Sequence, residues 1–111
     1  MSISESARAG ITSVIDSDRV VLFMKGSPES PQCGFSATLV HYLNDLAVSF
    51  TSFDVLEDSE TRAAIKEYSC WPTIPQLYID GEFIGGCDIV EQMHASGDLA
   101  LKLSGSPAAV A

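Results

Sequence analysis

In the stretch "SPESPQCGFSATL" a cysteine, Cys33, follows a loop with two prolines and stands where a helical pattern begins. Three residues on, where a dithiol redox motif carries its second cysteine, the chain has Ser36. The first turn of a helix leaves backbone N–H groups unpaired and carries the positive end of the macrodipole. A cysteine placed there has its pKa drawn from about 8.5 into a range of about 3.5–7.5, which makes it a nucleophile or a soft-metal ligand at neutral pH. The opposing reading is a small buried hydrophobe, the usual fate of an isolated cysteine. Cys33 follows a loop rather than lying on a helical face, and the buried stripe of the helix is expected to begin at Phe35. Both features favour the reactive reading.

The other candidates for chemistry are few. Cys70 and Cys87 bring the cysteines to three, an odd number at uneven spacing, unlike a secreted disulfide framework. No Cys-x-x-Cys occurs, and His41 and His94 have no Cys or second His at i+3 or i+4, so both read as helix-surface residues. Six Lys and Arg stand against fifteen Asp and Glu, a net charge of −9. That balance argues against general affinity for nucleic acid or an anionic membrane. Arg62 and Lys66 lie one helical turn apart on one face. On their own they are equally well explained as solvating a helix beside Glu60 and Glu67.

The elements that position these residues follow from periodicity. A helix is expected from about Ser4 to Asp16, with Ala7, Ile11, Val14 and Ile15 as its apolar stripe. "RVVLFMK" reads as a strand buried on both faces, and Gly26, Pro28 and Pro31 mark a loop. Phe35, Leu39, Tyr42, Leu43 and Leu46 then fall at helical spacing, predicting a second helix over about 33–46. "VSFTSFDV" reads as a second strand, parallel to the first through a βαβ connection. Asp58 or Ser59 caps a third helix through about Ser69, with Ala63, Ala64, Ile65 and Tyr68 as its apolar residues. After "WPTIP", the run "QLYIDGEFIGG" reads as an antiparallel hairpin turning at Asp80-Gly81. Asp88 is expected to N-cap a fourth helix that Gly97 closes, followed by a short helical piece "DLALKL".

This order predicts an α/β domain, a mixed sheet with helices on both faces. At 111 residues and 46% hydrophobic composition the chain fits one domain with a real core, residues 4–103, and a frayed tail over 104–111. There is no internal repeat and no linker. The longest apolar run, Val20 to Met24, is far too short to span a bilayer. The first residues lack the apolar core of a signal peptide and the Arg-rich character of a transit peptide. A cytoplasmic protein is expected, or one of an organelle matrix if a presequence is missing from this chain.

"FMKGSPESPQCGFS" followed by "IKEYSCWPTIPQLYIDGEFIGGCDI" resembles the monothiol glutaredoxins of the Cys-Gly-Phe-Ser type. The similarity runs from about Val20 to Leu103. It implies a thioredoxin-like fold with a central four-stranded mixed sheet, glutathione as ligand, and a 2Fe–2S cluster shared by two subunits. It further implies roles for individual residues. Cys33 would be the cluster ligand and redox thiol, and Lys25 would approach that thiolate and a carboxylate of glutathione. Arg62 and Lys66 would meet the glycine carboxylate. Ile74, ahead of a cis proline at Pro75, would pair its backbone with the tripeptide as an added strand, with Thr73 beside it. Gly85 and Gly86 would permit close approach, and Cys87 and Asp88 would take the γ-glutamyl end, Asp88 serving both as N-cap and as acceptor for the ammonium. Three of the six cations (Lys25, Arg62, Lys66) thus fall around the implied site, as suits a ligand with two carboxylates and one ammonium. Cys87 matches a family position and either resolves a mixed disulfide or packs near the ligand, the latter favoured. Cys70 departs from the family, which more often has asparagine before "WPT", and reads as a chance surface substitution.

An all-thiolate 2Fe–2S cluster needs four sulfur ligands. Two copies of Cys33 and two glutathione thiolates make four, so a cluster would require a homodimer and the small thiol. The resulting expectation is a glutathione-dependent cluster carrier serving iron–sulfur acceptor proteins. The alternative is an oxidoreductase that removes glutathione from protein mixed disulfides through Cys33. Because Ser36 forbids a disulfide within the motif, any such activity is expected to be weak. A third reading is an adaptor, since the family binds BolA-like proteins.

Overall fold

The computed structural model describes residues 4–104. Helix α1 (Glu5–Asp16) is capped by Ser4, whose side chain accepts from the Ala7 N–H at 3.0 Å, and it buries Ile11 and Ile15. Strand β1 (Val20–Met24) follows, every residue of it buried. The stretch expected as a plain loop then folds into a small hairpin, β2 (Gly26–Ser27) with β3 (Ser30–Pro31), whose return is tied by the Gln32 N–H donating to the Lys25 carbonyl at 2.8 Å. Helix α2 (Gly34–Asp45) and strand β4 (Thr51–Asp54) complete the βαβ unit. A 3₁₀ turn (Val55–Glu57) that periodicity did not indicate leads to α3 (Ser59–Ser69), and Asp58 caps it by accepting from Glu60 and Thr61. Strands β5 (Gln76–Ile79) and β6 (Glu82–Gly85) form the hairpin, then α4 (Cys87–Ser96) and α5 (Asp98–Leu103) close the chain. At the hairpin tip Asp80 and Gly81 both have positive φ, 53° and 80°, as a tight two-residue turn requires. Of the tail expected from residue 104 onward, all but Ser104 lies outside the described residues.

The four strands lie in the order β4-β1-β5-β6, with β1 and β4 parallel and the other pairs antiparallel. This is the mixed sheet expected. Strand alternation divides the core into two layers. Val20, Leu22, Met24, Leu77 and Ile79 pack on one face with Leu39, Leu43, Val90 and Leu99 from α2, α4 and α5. Val21, Phe23 and Tyr78 pack on the other with Ile11, Ile15, Ala64 and Ile65 from α1 and α3. Arg19, just before β1, donates to the Asp80 carboxylate at 2.9 Å and to the carbonyls of Leu103 and Lys102 at 2.7 and 2.8 Å, which ties the end of α5 to the hairpin.

Three expectations are corrected by the packing. Phe35 does not begin the buried stripe of α2: it is 62% exposed, and the fully buried residue of that turn is Ser36. In the first turn the side that Phe35 occupies is left open, and the apolar burial of α2 begins at Leu39. Ala63 faces solvent, while Ala64 and Ile65 carry the burial of α3. Asp88 is not the N-cap of α4. That position is Gly86, in extended backbone, and Asp88 is the second residue of the helix. The two glycines let the chain turn directly from β6 into the helix, so it starts before an Asx cap is needed.

Cys70 terminates α3 with left-handed backbone, φ 57° and ψ 32°, a conformation that L-residues other than Asn and Gly adopt at a cost of roughly 1–2 kcal/mol. Its side chain is exposed. The Cys70→Gly variant is therefore expected to be more stable by about 0.5–1 kcal/mol, read as a higher urea midpoint at unchanged m. A lower midpoint would show that the Cys70 side chain contributes more than its backbone costs.

Candidate functional site

The hydroxyl of Ser36 organises the local structure. Buried at the start of α2, its Oγ accepts the N–H of Lys25 at 3.1 Å, joining the end of β1 to the helix and holding the hairpin between them. Cys33 is then the N-cap residue of α2, with φ −156° and ψ 140°. On the far side, the segment 71–75 is held from within. Gln76, fully buried, donates through Nε2 to the carbonyls of Trp71 and Thr73, both at 3.2 Å, and its Oε1 accepts from Tyr78 at 3.2 Å. The Trp71 N–H donates to Ser69 Oγ at 3.1 Å and to the Lys66 carbonyl at 3.1 Å. The peptide between Ile74 and Pro75 is cis. The N–H and C=O of Ile74 make no hydrogen bond within the described residues.

Between these two fixed edges lies a cleft of about 470 Å³, lined by Lys25, Cys33, Phe35, Lys66, Trp71, Pro72, Thr73, Ile74, Pro75, Gly86, Cys87 and Asp88. Its size suits a small peptide-like ligand. Of the residues singled out in the sequence, it brings together Lys25, Cys33, Lys66, Thr73, Ile74, Cys87 and Asp88. Arg62 does not line it; half-buried, it stands one turn before Lys66 on α3. Sequence reasoning missed Phe35 and Trp71 as walls of the site. An exposed aromatic two residues from a reactive cysteine, and a lone tryptophan ahead of Pro-Thr-Ile-Pro, were the available signals.

The cleft is electropositive in a strongly acidic chain. Neither α2 nor α4 has a side-chain cap hydrogen bond, and the first residues of both helices line the cleft, so two helix N-termini open into it. Lys25, Arg62 and Lys66 form no ion pair among the described residues. The remaining cations are engaged elsewhere: Arg19 with Asp80, Lys102 with Glu82, and Arg8 over the Tyr68 ring. Half-burial alone would raise the pKa of Cys33. It is outweighed by the amides of Ser36 and Phe35, the Ser36 hydroxyl and the charge of Lys25, which together hold this thiol below the ordinary range. The amides do not complete cap hydrogen bonds to the neutral sulfur, but their positive ends favour the thiolate. Cys87 in the same cleft goes the other way, pushed up by burial and then by Glu91, Asp88 and Cys33. Away from the cleft, His41 is exposed, and His94 stacks on Tyr42 and lies 3.4 Å from Asp45. Among the described residues no three His, Cys, Asp or Glu gather to hold a metal ion.

The Glutaredoxin family model matches residues 20–84. The chain belongs to the glutaredoxin family, in its monothiol branch. It is 50% identical over 111 residues to monothiol glutaredoxin-5, mitochondrial, of Lachancea kluyveri, covering 97% of this chain and 78% of that protein. It is 53% identical over 97 residues to monothiol glutaredoxin-S7, chloroplastic, of Oryza sativa subsp. japonica, covering 87% of this chain but 58% of the rice protein. The solution structure of reduced apo GrxS14 from poplar superposes with a TM-score of 0.78 at 49% identity, covering 87% of this chain and 89% of that one. The fold is accordingly the thioredoxin-like fold of glutaredoxins. No helix among the described residues is long and apolar enough to cross a membrane.

The two thiols of the cleft are expected to separate in a pH series of alkylation rates resolved by peptide mass mapping. Cys33 should show its midpoint below the ordinary thiol value of about 8.5, and Cys87 above it. Lys25→Met should move the Cys33 midpoint upward and leave it the lower of the two. Because the native state favours the Cys33 thiolate, this group's contribution to stability is fully present above the ordinary thiol range and is lost as pH falls through its lowered native value. Coincident midpoints for the two cysteines would contradict the electrostatics described. Separately, Ser36→Ala leaves the Lys25 N–H without its acceptor, with an expected loss of about 1–3 kcal/mol in denaturant unfolding.

Proposed function

We propose that the chain is a glutathione-dependent carrier of 2Fe–2S clusters, the cluster being cargo held between two copies of the protein. The observation that carries this reading is the single thiol Cys33, whose surroundings favour its thiolate form, at the edge of a cleft that Lys25 and Lys66 also line. One such thiolate per chain falls short of four sulfur ligands, so two copies must each bring a second thiol. The cleft fits that thiol in the form of glutathione. Lys25 and Lys66, with Arg62 behind them, suit its carboxylates. The unpaired backbone of Ile74 suits its peptide, with Thr73 beside it. The N-terminus of α4 at Cys87 and Asp88 suits the γ-glutamyl end, where Asp88 accepts from the ammonium.

In this reading Ser36 has two effects. It keeps the Cys33 thiolate from being withdrawn into a disulfide within the motif, and it helps hold that thiolate ionised. A BolA-like protein and iron–sulfur acceptor proteins are the partners it implies. The compartment is the cytoplasm or an organelle matrix, with relatives named as mitochondrial and chloroplastic on the side of the latter.

The lowered pKa of Cys33 also supports a second reaction. The Cys33 thiolate attacks the glutathione sulfur of a protein mixed disulfide and expels the protein thiolate. A second glutathione thiolate then attacks the Cys33-bound glutathione, releasing glutathione disulfide and restoring Cys33. Cys87 is held as a neutral thiol and is a poor nucleophile for that second step, so turnover is expected to be weak.

Anaerobic reconstitution with iron, sulfide and glutathione separates the two readings when absorption and solution mass are recorded together. A coloured dimer is expected from the parent chain, and a colourless monomer when glutathione is omitted or Cys33 is changed to serine. A colourless monomer under all conditions would leave the mixed-disulfide reductase as the function.

A further inference from the structure

Trp71 carries the one buried side-chain nitrogen or oxygen among the described residues that has no hydrogen-bond partner, its indole Nε1. The residue cannot easily turn to find one. Its N–H and C=O are taken by Ser69, Lys66 and Gln76, and its ring is tilted against Phe83 at 5.7 Å between centroids. A buried donor left without an acceptor is costly, so its retention calls for a purpose. The nitrogen stands over Gly86. A Cβ at that glycine would lie 2.9 Å from Nε1 and 3.3 Å from the Pro75 carbonyl oxygen. The covering here is therefore bare backbone, at the point where the cleft meets the uncapped N-terminus of α4. Trp71 and Gly86 both line the cleft.

We infer that the Trp71 indole N–H is a ligand-binding donor, which completes its hydrogen bond on a carboxylate oxygen of the bound thiol peptide at the start of α4. The inference rests on the glutathione reading above and adds to it a residue of the recognition surface. The same oxygen group that meets the unpaired N–H groups of α4 is the acceptor the indole lacks. Gly86 is then required for access, because a side chain there would fill the space between the indole and the ligand.

Since the chain has one tryptophan, a ¹⁵N-labelled sample gives one indole N–H signal to follow. On titration with reduced glutathione that signal is expected to move downfield along the same saturation curve as the backbone amides of Cys87 and Asp88. Trp71→Phe keeps an aromatic ring against Phe83 and removes the donor. It is expected to retain or raise the thermal midpoint of the free protein and to bind glutathione about tenfold more weakly by calorimetry. Amides that titrate while the indole signal stays fixed, or a Trp71→Phe variant that binds as tightly as the parent, would overturn the inference and leave the glutathione reading standing. If no amide moves at all, the glutathione reading itself fails and the inference fails with it.

Discussion

A single buried hydroxyl sets the geometry on which the reactive centre depends. Ser36 Oγ accepts the N–H of Lys25, the residue that follows β1, at 3.1 Å, from the first turn of α2. That bond fixes where the central strand stops and where the helix begins, and the hairpin between them has its span set by the two ends. Cys33 is thereby placed at the N-cap, with amide groups on one side and Lys25 on the other. A cysteine at position 36 would leave the Lys25 amide with a poorer acceptor and bring a competing thiol into the same turn. The residue that removes the second thiol from the motif is the one that holds the motif together.

Charge is distributed with the same economy. A chain of net charge −9 has few cations to place, and three of them, Lys25, Arg62 and Lys66, stand at or behind one cleft and form no ion pair among the described residues. Unpaired cations near one another are unfavourable in the free protein, and their retention points to an anion that compensates them. The two cysteines of the cleft show how local this field is. Cys33, facing amides and Lys25, is favoured as a thiolate; Cys87, beside Asp88 and Glu91, is disfavoured. The same functional group in one cavity is shifted in opposite directions, Cys33 toward the thiolate and Cys87 toward the thiol, by different near neighbours.

The sheet and most of the helices were legible in the sequence because their signals are periodic and strong. The unbroken apolar run Val20–Met24 marked a strand buried on both faces, and helical spacing identified Ile11 with Ile15 and Leu39 with Leu43. What escaped was set by the ends of elements. Phe35 fits the period of α2, yet period gives only direction around the axis, and at the first turn that direction opens onto the cleft. Asp88 is the preferred residue type for a cap, but Gly85 and Gly86 start the helix before it. Most of the cleft residues were identified through the motif rather than through periodicity. Trp71 was read only as part of an interruption, since nothing local reveals that its backbone would be fully committed and its ring nitrogen left alone.

These end effects are also where the chemistry sits. A regular strand or helix satisfies its own backbone and has little to offer a ligand. The cleft instead gathers the unpaired remainder of several elements: two uncapped helix N-termini, the backbone of Ile74 beside the cis proline, and the indole of Trp71. Ser36 holds the start of α2 on one edge, and Gln76 holds the segment of Trp71 to Thr73 on the other. On the carrier reading this division of labour also explains release. A cluster held half by Cys33 and half by a thiol that the protein binds only through such groups can depart with that thiol, without any protein disulfide being formed and without unfolding either rigid edge.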